Sequence, residues 1–577
     1  MRLLTDYEVG SIPHAEHPTP QSMREHWMNL NGKWGFYKQD AAGNKSFEGE
    51  ILVPFSPECA LSGIEEGFVL ERGSRLFYSR TVTVEEALLQ GKVLLHFGAV
   101  DSECEVLFNG NAVGKHRGGF TAFSFDVTPY IHAGENCIEV IVSDEATRNG
   151  GARGKQSDTR GTIWYTPQSG IWQTVWLEGM PAQSIERFLI TPNGIEKTVK
   201  LTVTAEGAVT ARIFDEGREL AAATFEGEYT FAADFALWSP ESPKLYDLEL
   251  TNEAGDKIRS YFGVRSFGQV IDSEGKLRLA LNGKPYFFNG VLDQGYWSDG
   301  MLTYPSDKAA LSELQLLKDM GFNTVRKHIK LEPMRWYYHC DRLGLAVWQD
   351  FINGGGAYKF ARVAALPFLG FKHDDGDYRY FARENAAARA EFEGMIDEIM
   401  DGLANVTSVA MWVIFNEGWG QFDSAKYTEY VRGKDPTRLI DSVSGWYDQG
   451  VGKTTLRSLH TYYTPLKVPK DPRPVVLSEF GGYSMKTEGH VFAPDKEFGY
   501  KKFKSREALE AALSQLYLEK LRPLIAKGLC AAIYTQVSDV EEEINGFVTY
   551  DRRVQKVSTA AMRRLNDAIA AAAAEIK

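Results

Sequence analysis

Cysteine is scarce in this chain of 577 residues, and the few cysteines show no pairing pattern. They are odd in number, lie far apart and form no C-x-x-C motif: Cys59, Cys104, Cys137, Cys340 and Cys530. This distribution excludes a dense disulfide framework and argues against a cysteine-rich zinc site. It predicts free, buried thiols in a reducing compartment, so we expect the protein to be cytoplasmic.

Long apolar runs and an excess of positive charge are also absent. No stretch of about 18 consecutive apolar residues occurs, so no membrane-spanning helix is expected. The N-terminal stretch MRLLTDYEVGSIPHAEHPTP lacks the apolar segment of a signal peptide. The 64 Lys and Arg residues and 77 Asp and Glu residues give a net charge of −13, which opposes binding to a phosphate backbone. The expected partner is therefore a small molecule, not a nucleic acid or a membrane.

The first half of the chain has the pattern of two β-sandwiches. Short β-branched and aromatic segments such as RLFYSRTVTV (75–84) are separated by Gly, Asn and Pro, and Asn109-Gly110 is a hairpin-turn signal. This pattern predicts a β-sandwich or jelly-roll domain over residues 1–181. Apolar and polar residues then alternate over 182–268, a length of about 85 residues that suits one immunoglobulin-like sandwich.

From residue 269 onward, strand-like and helix-like segments alternate. Ser306 and Pro333 mark helix starts, and Gly321 and Gly344 mark helix ends. The strand-like segments are YFFNGVL (286–292), NTVRKH (323–328), LAVWQD (345–350), MWVIF (411–415), LIDSVSG (439–445), SLHTY (458–462), VVLSEFG (475–481) and CAAIYTQVSD (530–539). These eight βα units predict a catalytic (β/α)8 barrel over 269–577.

Active sites of such barrels lie at the C-terminal ends of the strands. The residues at these ends are polar although the strand bodies are apolar: Asp293, Arg326, His328, Asp350, Asn416, Glu417, Trp446, His460, Tyr462, Glu479, Tyr534 and Gln536. Glu417 and Glu479 belong to the fourth and seventh strands, which face each other across an eight-stranded barrel. Two carboxyl groups roughly 5–5.5 Å apart serve as nucleophile and acid/base in retaining glycosidases.

The segment FNEGWG (415–420) adds further candidates beside Glu417. Asn416 is placed to hydrogen-bond the 2-hydroxyl of a sugar, an interaction that strengthens in the transition state. Gly418 is expected to leave space for the leaving group, and Trp419 to stack on it. The histidines lack the paired spacing of a metal site, so neither a metal nor another cofactor is expected.

The sequence resembles the family 2 glycoside hydrolases, which include β-galactosidases, β-glucuronidases and β-mannosidases. The resemblance covers almost the whole chain, in jelly-roll, sandwich and barrel motifs: WMNLNGKW (27–34), HFGAVDSECEVLFNG (96–110), SGIWQTVWLE (169–178), LWSPESPKLYDL (237–248), FGVRSF (262–267), NTVRKH, FNEGWG and SEFGG (478–482). Each motif alone is weak, but their order and spacing together are specific.

The resemblance implies a role for several of the strand-end residues. It makes Glu417 the acid/base, Glu479 the nucleophile and Asn416 a substrate ligand. Tyr462, with Tyr463 as the adjacent alternative, resembles the tyrosine that holds the nucleophile, and Arg326 the arginine that helps keep it ionised. The remaining strand-end residues are candidates for sugar contacts or for packing. Family relatives are often dimers or tetramers, so a homo-oligomer is compatible with the resemblance.

The sequence departs from the family pattern at two places. YTQ (534–536) replaces the tryptophan that usually lies under the sugar ring. The Asn-x-Lys-Gly element of β-glucuronidases is missing after strand eight, where Glu541–Glu543 would repel a uronate if they faced the site. The expected activity is an exo-acting retaining β-glycosidase, most similar to β-galactosidases, with β-glucuronidase or another β-glycosidase as the alternative. A sugar-binding protein on an inactive barrel is disfavoured because both glutamates are present.

Overall fold

The computed structural model describes residues 3–359, 361–367, 370–452 and 455–576, so residues 1, 2 and 577 at the ends of the predicted domains lie outside it. Its architecture confirms the predicted fold class, because a jelly-roll sandwich, an immunoglobulin-like sandwich and a (β/α)8 barrel follow one another. No helix in the described ranges is long and apolar enough to cross a membrane. The cysteines are free, and Cys137 is half-buried whereas the others are buried.

The N-terminal domain is a sandwich of antiparallel strands. Its elements are β1 (Trp27–Asn29), β2 (Gly32–Gln39), β3 (Lys45–Val53), β4 (Arg75–Val84), β5 (Lys92–Phe97), β6 (Val100–Asp101), β7 (Glu103–Phe108), β8 (Asn111–Arg117), β9 (Phe123–Asp126), β10 (Gly134–Ser143), α1 (Ala146–Asn149), β11 (Gly170–Ile171) and β12 (Val175–Met180). The main sheets have the strand orders β3-β2-β4-β10-β7-β8 and β1-β12-β5-β9. The predicted turn Asn109-Gly110 joins β7 to β8 with both residues at positive φ, the geometry that tight hairpins require.

The second domain is a smaller sandwich that leads to the bottom of the barrel. Its strands are β13 (Arg187–Asn193), β14 (Thr198–Thr204), β15 (Val209–Asp215), β16 (Arg218–Phe225), β17 (Glu228–Ala232), β18 (Tyr246–Asn252) and β19 (Lys257–Phe262). Sheets β13-β14-β17 and β16-β15-β18-β19 enclose an apolar core. A three-stranded sheet follows, formed by β20 (Phe267–Ile271), β21 (Leu277–Leu281) and β22 (Lys284–Pro285).

The C-terminal domain is built around one eight-stranded parallel sheet in the described part of the chain. Its strands are β23 (Phe288–Asp293), β24 (Thr324–Lys327), β25 (Ala346–Asp350), β26 (Val409–Asn416), β27 (Leu439–Ser444), β28 (Arg457–Thr461), β29 (Val475–Gly481) and β32 (Leu529–Thr535), with β30 (Tyr483–Met485) and β31 (Lys501–Phe503) as a separate pair. The order β27-β26-β25-β24-β23-β32-β29-β28 gives a nearly closed barrel. Inward-facing Phe288, Trp348 and Ile533 pack with Phe267 and Leu279, so β20 and β21 close the barrel's bottom and leave its other end for the site.

Helices surround the barrel strands. They are α2 (Asp307–Asp319), α3 (Met334–Leu343), α4 (Ala386–Gly402), α5 (Ser424–Lys434), α6 (Arg506–Ser514), α7 (Arg522–Ala526) and α8 (Thr559–Ala574), with 3₁₀ segments at Ala60–Ser62 and Glu86–Leu88 and π segments at Ala361–Ala365 and Gln515–Leu521. Ser306 caps α2 by accepting a hydrogen bond from the Ala309 backbone, as predicted. Gly344 ends α3 at φ 74°, where glycine is unstrained.

One helical region of the barrel is irregular, and one predicted strand is shorter than expected. The helix before the eighth strand is divided into α6, a π segment and α7, because Pro523 cannot donate a backbone hydrogen bond and the preceding turns widen into the π segment. The last strand, predicted to reach residue 539, ends at Thr535.

Candidate active site

Glu417 and Glu479 meet at the open end of the barrel. Glu417 directly follows β26, and Glu479 lies in β29. One carboxylate oxygen of each residue and a ring nitrogen of His460 all lie within 4.8 Å of one another. The two carboxylates are therefore close to the roughly 5–5.5 Å separation at which they can act on the same anomeric carbon, and nearer than the roughly 6.5–9.5 Å of inverting sites.

Irregular backbone brings both carboxylates inward. Glu417 has a φ of 48°, a left-handed conformation that is uncommon for a non-glycine residue, and its N–H donates to the Ser444 carbonyl at 2.9 Å. The pairing register of β29 with β32 shifts between Leu477 and Phe480. Because of this irregularity, the consecutive residues Ser478 and Glu479 both reach groups inside the barrel.

Arg326 organises the charged part of the site from the second strand. Its guanidinium is fully buried and donates to Glu479 Oε1 at 3.2 Å, to both oxygens of Asp350 at 3.0 and 2.9 Å, and to Asn416 Oδ1 at 2.8 Å. Burial alone would raise the pKa of Glu479, but the neighbouring His460 ring and the Arg326 cation outweigh it and lower that pKa to about 2. Glu479 is therefore ionised at neutral pH, as a nucleophile requires.

Tyr462 supports the same carboxylate from the sixth strand. Its hydroxyl donates to Glu479 Oε2, and its ring is stacked on Tyr500 at a centroid distance of 3.7 Å. Tyr463 is 67% exposed and points away. The structure therefore selects Tyr462 from the two adjacent candidates.

The two predicted histidines contact carboxylates of the site instead of lining an open sugar pocket. His460 Nδ1 lies 2.6 Å from Glu417 Oε1, and its Nε2 lies 2.9 Å from the Ser444 hydroxyl. His328 Nδ1 lies 2.7 Å from Asp350 Oδ2, which places it behind the Arg326 ion pair. Trp446 is half-buried, with its ring 5.5 Å from that of His460.

Asp293 and Tyr534 were wrongly predicted to face the site. Asp293 pairs with Lys327 at 2.5 Å on the outer surface of the barrel, because Leu292 is the inward-facing residue at the end of β23. Tyr534 also points outward, where its ring packs 4.6 Å from that of Phe547. Neither side chain reaches the catalytic glutamates, since side chains alternate between the faces of a strand.

The expectations for Gly418 and Trp419 also need correction. A Cβ at Gly418 would lie 2.6 Å from the Tyr447 ring, so the glycine leaves room for this side chain and not for a leaving group. Trp419 is only 2% exposed, and its ring lies 5.0 Å from that of Trp164 and 5.9 Å from that of His328. It supports the wall of the site and does not offer a free stacking surface.

Part of the wall comes from the jelly-roll domain, which sequence reasoning missed. Lys155 Nζ lies 4.7 Å from the centroid of the Trp419 ring, and Tyr165 donates to Glu543 Oε2 at 2.5 Å. Glu543 also accepts from Asn545, which in turn accepts from Gln536 at 2.8 Å. The predicted residue Gln536 is thus connected to this wall, and of the acidic segment after the eighth strand Glu543 faces the site, whereas Glu541 and Glu542 accept from the Thr166 and Thr162 backbones.

The convergence of Glu417, His460 and Glu479 has the donor types of a metal site, but its neighbours indicate another use. The Arg326 cation lies 3.2 Å from one oxygen of Glu479, and the Tyr462 hydroxyl occupies the other. A second cation there would be repelled by Arg326, so we assign the group to proton transfer and nucleophilic chemistry.

The sequence matches family models along most of the chain. These are described as the sugar binding domain of glycosyl hydrolases family 2 over residues 62–181, glycosyl hydrolases family 2 over 183–265, and the TIM barrel domain of that family over 274–555. The chain belongs to glycoside hydrolase family 2. The motifs that suggested this family are those that place Glu417 and Glu479 in the barrel mouth.

Relatives within family 2 carry more than one activity in their names. The chain is 27% identical to a putative beta-glucuronidase of Formosa agariphila and 24% identical to a beta-galactosidase of Photobacterium profundum. These alignments cover 72% and 78% of this chain but only 40% and 47% of those proteins, so the chain spans less than half of their length. A beta-D-glucuronidase structure from Dictyoglomus thermophilum is 18% identical, with a TM-score of 0.74 over 96% of this chain and 98% of that one.

Proposed function

We propose that this family 2 protein is a retaining β-glycosidase that hydrolyses terminal β-linked sugars by double displacement. The observation that carries the proposal is the Glu417–Glu479 pair, with Glu479 held ionised by Arg326 and Tyr462. Glu479 attacks the anomeric carbon while Glu417 gives a proton to the departing oxygen. Glu417 then takes a proton from the water that displaces Glu479, which restores both residues.

The enclosed shape of the site supports an exo mode of action. The side chains of Glu417 and Glu479 keep exposed fractions of only 12% and 6%. Lys155 and Trp164 of the jelly roll close one side of the mouth, and Tyr500 closes another. A confined pocket of this kind accepts the end of a sugar chain more readily than its middle.

Proton NMR of the first product should show the β anomer when a β-glycoside is the substrate. Two successive inversions at the anomeric carbon restore its configuration. We also expect activity to survive EDTA, because the proposed steps use only side chains. An α anomer at early times, or activity that is lost in EDTA and restored by a divalent cation, would contradict the mechanism.

A neutral sugar such as galactose is the first candidate for the substrate. Glu543 offers acceptor oxygens for sugar hydroxyls. Its carboxylate is close enough to interact electrostatically with Lys155, which attracts it, and with Glu479, which repels it. A carboxylate on the sugar would be repelled by Glu543 and the catalytic pair. We also propose a cytoplasmic location, because the cysteines of the described structure are free.

A uronide is the second candidate, and Lys155 is the observation that favours it. Lys155 is only 4% exposed; its Nζ lies over the rings of Trp164, Tyr165 and Trp419, and it forms no ion pair within 4 Å among the described residues. A buried ammonium group without a close anion is suited to bind a substrate carboxylate.

A panel of aryl β-glycosides with a Lys155→Met variant should distinguish the two sugars. The methionine keeps the contact with Trp419 but removes the charge. If the substrate is a uronide, kcat/KM for the β-glucuronide should fall by about 30-fold or more, the cost of removing one partner of a buried charge pair. If the substrate is neutral, kcat/KM of the wild type should be higher for the β-galactoside than for the β-glucuronide. The Lys155→Met variant should then lose much less kcat/KM for the β-galactoside than for the β-glucuronide.

An Arg326→Gln variant should move the acid side of the pH–activity profile upward. In the wild type the pKa of Glu479 is lowered to about 2, so the nucleophile stays ionised far below neutral pH. Loss of the guanidinium raises that pKa, and Glu479 becomes protonated at a higher pH. The free energy of unfolding should also fall by about 3–5 kcal/mol, because buried carboxylates lose their partner.

Arg278→Gln is the matched control for this variant. Arg278 is 3% exposed and pairs with Asp272 at 2.8 Å at the closed end of the barrel. It should lose stability without moving the acid limb of the profile. Equal shifts in both variants would show that Arg326 acts only through stability.

A further inference from the structure

A row of buried hydroxyl groups leads from the catalytic acid into the barrel. Glu417 Oε1 is 2.6 Å from His460 Nδ1, and the other ring nitrogen is 2.9 Å from the Ser444 hydroxyl. The Ser444 hydroxyl is 2.9 Å from that of Ser478, which is 2.6 Å from that of Ser458. The row ends at a carboxylate, since the Ser458 hydroxyl is 2.7 Å from an oxygen of Asp441.

Asp441 is fully buried and has no role in the mechanism above. Its second oxygen has no hydrogen-bond partner among the described residues. The charged and titratable groups that face it are Arg326, His460 and Asp350. Burial raises the pKa of Asp441 to about 6, against the attraction of Arg326, so this carboxyl exchanges its proton near neutral pH.

We propose that Asp441 shares one proton with Glu417 through the three serines and His460, and thereby sets the protonation of the catalytic acid from inside the barrel. The proposal rests on the function proposed above for Glu417. It makes Asp441, Ser458, Ser478 and Ser444 positioning residues, because none of them touches the reacting atoms.

The proton count along the row is balanced. In one state Asp441 is protonated and donates to Ser458. The three serines then donate in sequence toward His460 Nε2, and His460 Nδ1–H donates to ionised Glu417. In the other state Glu417 holds the proton and donates it to His460 Nδ1, His460 Nε2–H donates to Ser444, and the serines donate in sequence toward ionised Asp441. Each state contains the same five protons, one on each of five groups, so the change moves one proton from Asp441 to Glu417.

The two states correspond to the two tasks of Glu417. In the first step Glu417 must hold the proton that the leaving group takes, which is the state with ionised Asp441. When Glu479 carries the sugar, its charge is gone, and ionised Glu417 can act as base for water. The row keeps this proton within the protein when a bound substrate covers the mouth of the site.

The test uses the isosteric variant Asp441→Asn and the interrupted variant Ser458→Ala in the full chain. In both, the alkaline limb of kcat/KM should move to lower pH by about one unit, because Glu417 loses a partner that favours its protonated form. The shift should be seen with poor leaving groups and be small with activated aryl groups, which need little protonation. The double variant should shift no further than either single variant, since both interrupt one row.

Asp341→Asn is the matched control. Asp341 is likewise fully buried, and burial also raises its pKa to about 6, but it accepts hydrogen bonds from Ser408 and Tyr261 away from the catalytic pair. It should leave the profile in place. An unchanged profile in Asp441→Asn would overturn the proposal. A shift in Asp441→Asn without a shift in Ser458→Ala would also overturn it, because the charge of Asp441 would then act through space and not through the row.

A second readout does not depend on turnover. The ring ¹⁵N shifts of His460, assigned by comparison with a His460→Gln variant, should exchange between the two tautomers as Asp441 titrates, and this step should vanish in Asp441→Asn and Ser458→Ala. If the wild type hydrolyses none of the aryl glycosides but the tautomer step is present, the proposed function fails and the shared proton stands. If the wild type is an active glycosidase but shows no tautomer exchange of His460, the shared proton is refuted and the proposed function stands.

Discussion

Replacing Glu479 by glutamine should lower kcat by at least about 10⁴-fold while the protein remains folded. Glutamine has the shape of glutamate and keeps an acceptor for Tyr462, but it has no anionic oxygen with which to attack the anomeric carbon. The loss should be the same for good and poor leaving groups, because the covalent intermediate cannot form in either case. Steady-state and single-turnover kinetics with aryl β-glycosides measure the effect.

A 2-fluoro glycoside should label the wild-type protein at Glu479, and peptide mapping should locate the label. Glu178→Gln is a suitable control, because Glu178 is also a buried glutamate that pairs with an arginine, Arg24, at 2.9 Å. That variant should keep its kcat. Label on another carboxylate, or comparable losses in the two variants, would reassign the nucleophile.

Replacing Glu417 by alanine should slow substrates according to their leaving groups. General acid catalysis contributes about 10²–10⁴-fold, and this contribution is lost when a poor leaving group departs without a proton. Activated aryl glycosides should still form the covalent intermediate on Glu479, so a burst of released phenol followed by slow turnover is expected. A series of aryl glycosides of increasing phenol pKa measures the dependence.

Azide provides the control for this variant. It attacks the intermediate without a general base and fits the space that the side chain leaves, so it should restore turnover and give a β-glycosyl azide. Uniform slowing of all substrates, with no rescue by azide, would identify Glu417 as a structural or binding residue. Another acid would then have to be found in the site.

The fold could be predicted because each domain has its own local pattern. Turn-separated strands, an alternating segment and repeated strand–helix units were sufficient for three domains, and single residues such as Ser306 and Gly344 fixed helix ends. The catalytic pair could also be located, since both glutamates end or interrupt apolar barrel strands. The positions of the strands and helices follow from neighbours in the sequence, and the pairing of the glutamates follows from the regular geometry of an eight-stranded barrel.

The errors came from information that a strand-end position does not contain. Asp293 and Tyr534 are at the correct height in the barrel but on its outer face, and the alternation with inward Leu292 and Ile533 would have revealed this. Glu479 breaks the same alternation through an irregular register, which no residue type announces.

Lys155 shows a different limit of sequence reasoning. It lies more than two hundred residues before Trp419, on a loop of another domain, and acquires its meaning only when the two domains dock. His460 belongs to the predicted set, yet its contact with Glu417 depends on the strained turn after β26. Such contacts depend on tertiary geometry that the sequence pattern leaves open.

The loop at 150–165 divides the site between two domains. The barrel supplies the bond-breaking groups, whereas Lys155 and Tyr165 come from the jelly-roll domain. A change in this one loop should therefore alter which sugar is admitted while the chemistry stays constant. Grafting this loop from one relative to another should therefore change the sugar preference. A barrel produced alone would keep both glutamates but lose a wall of the pocket.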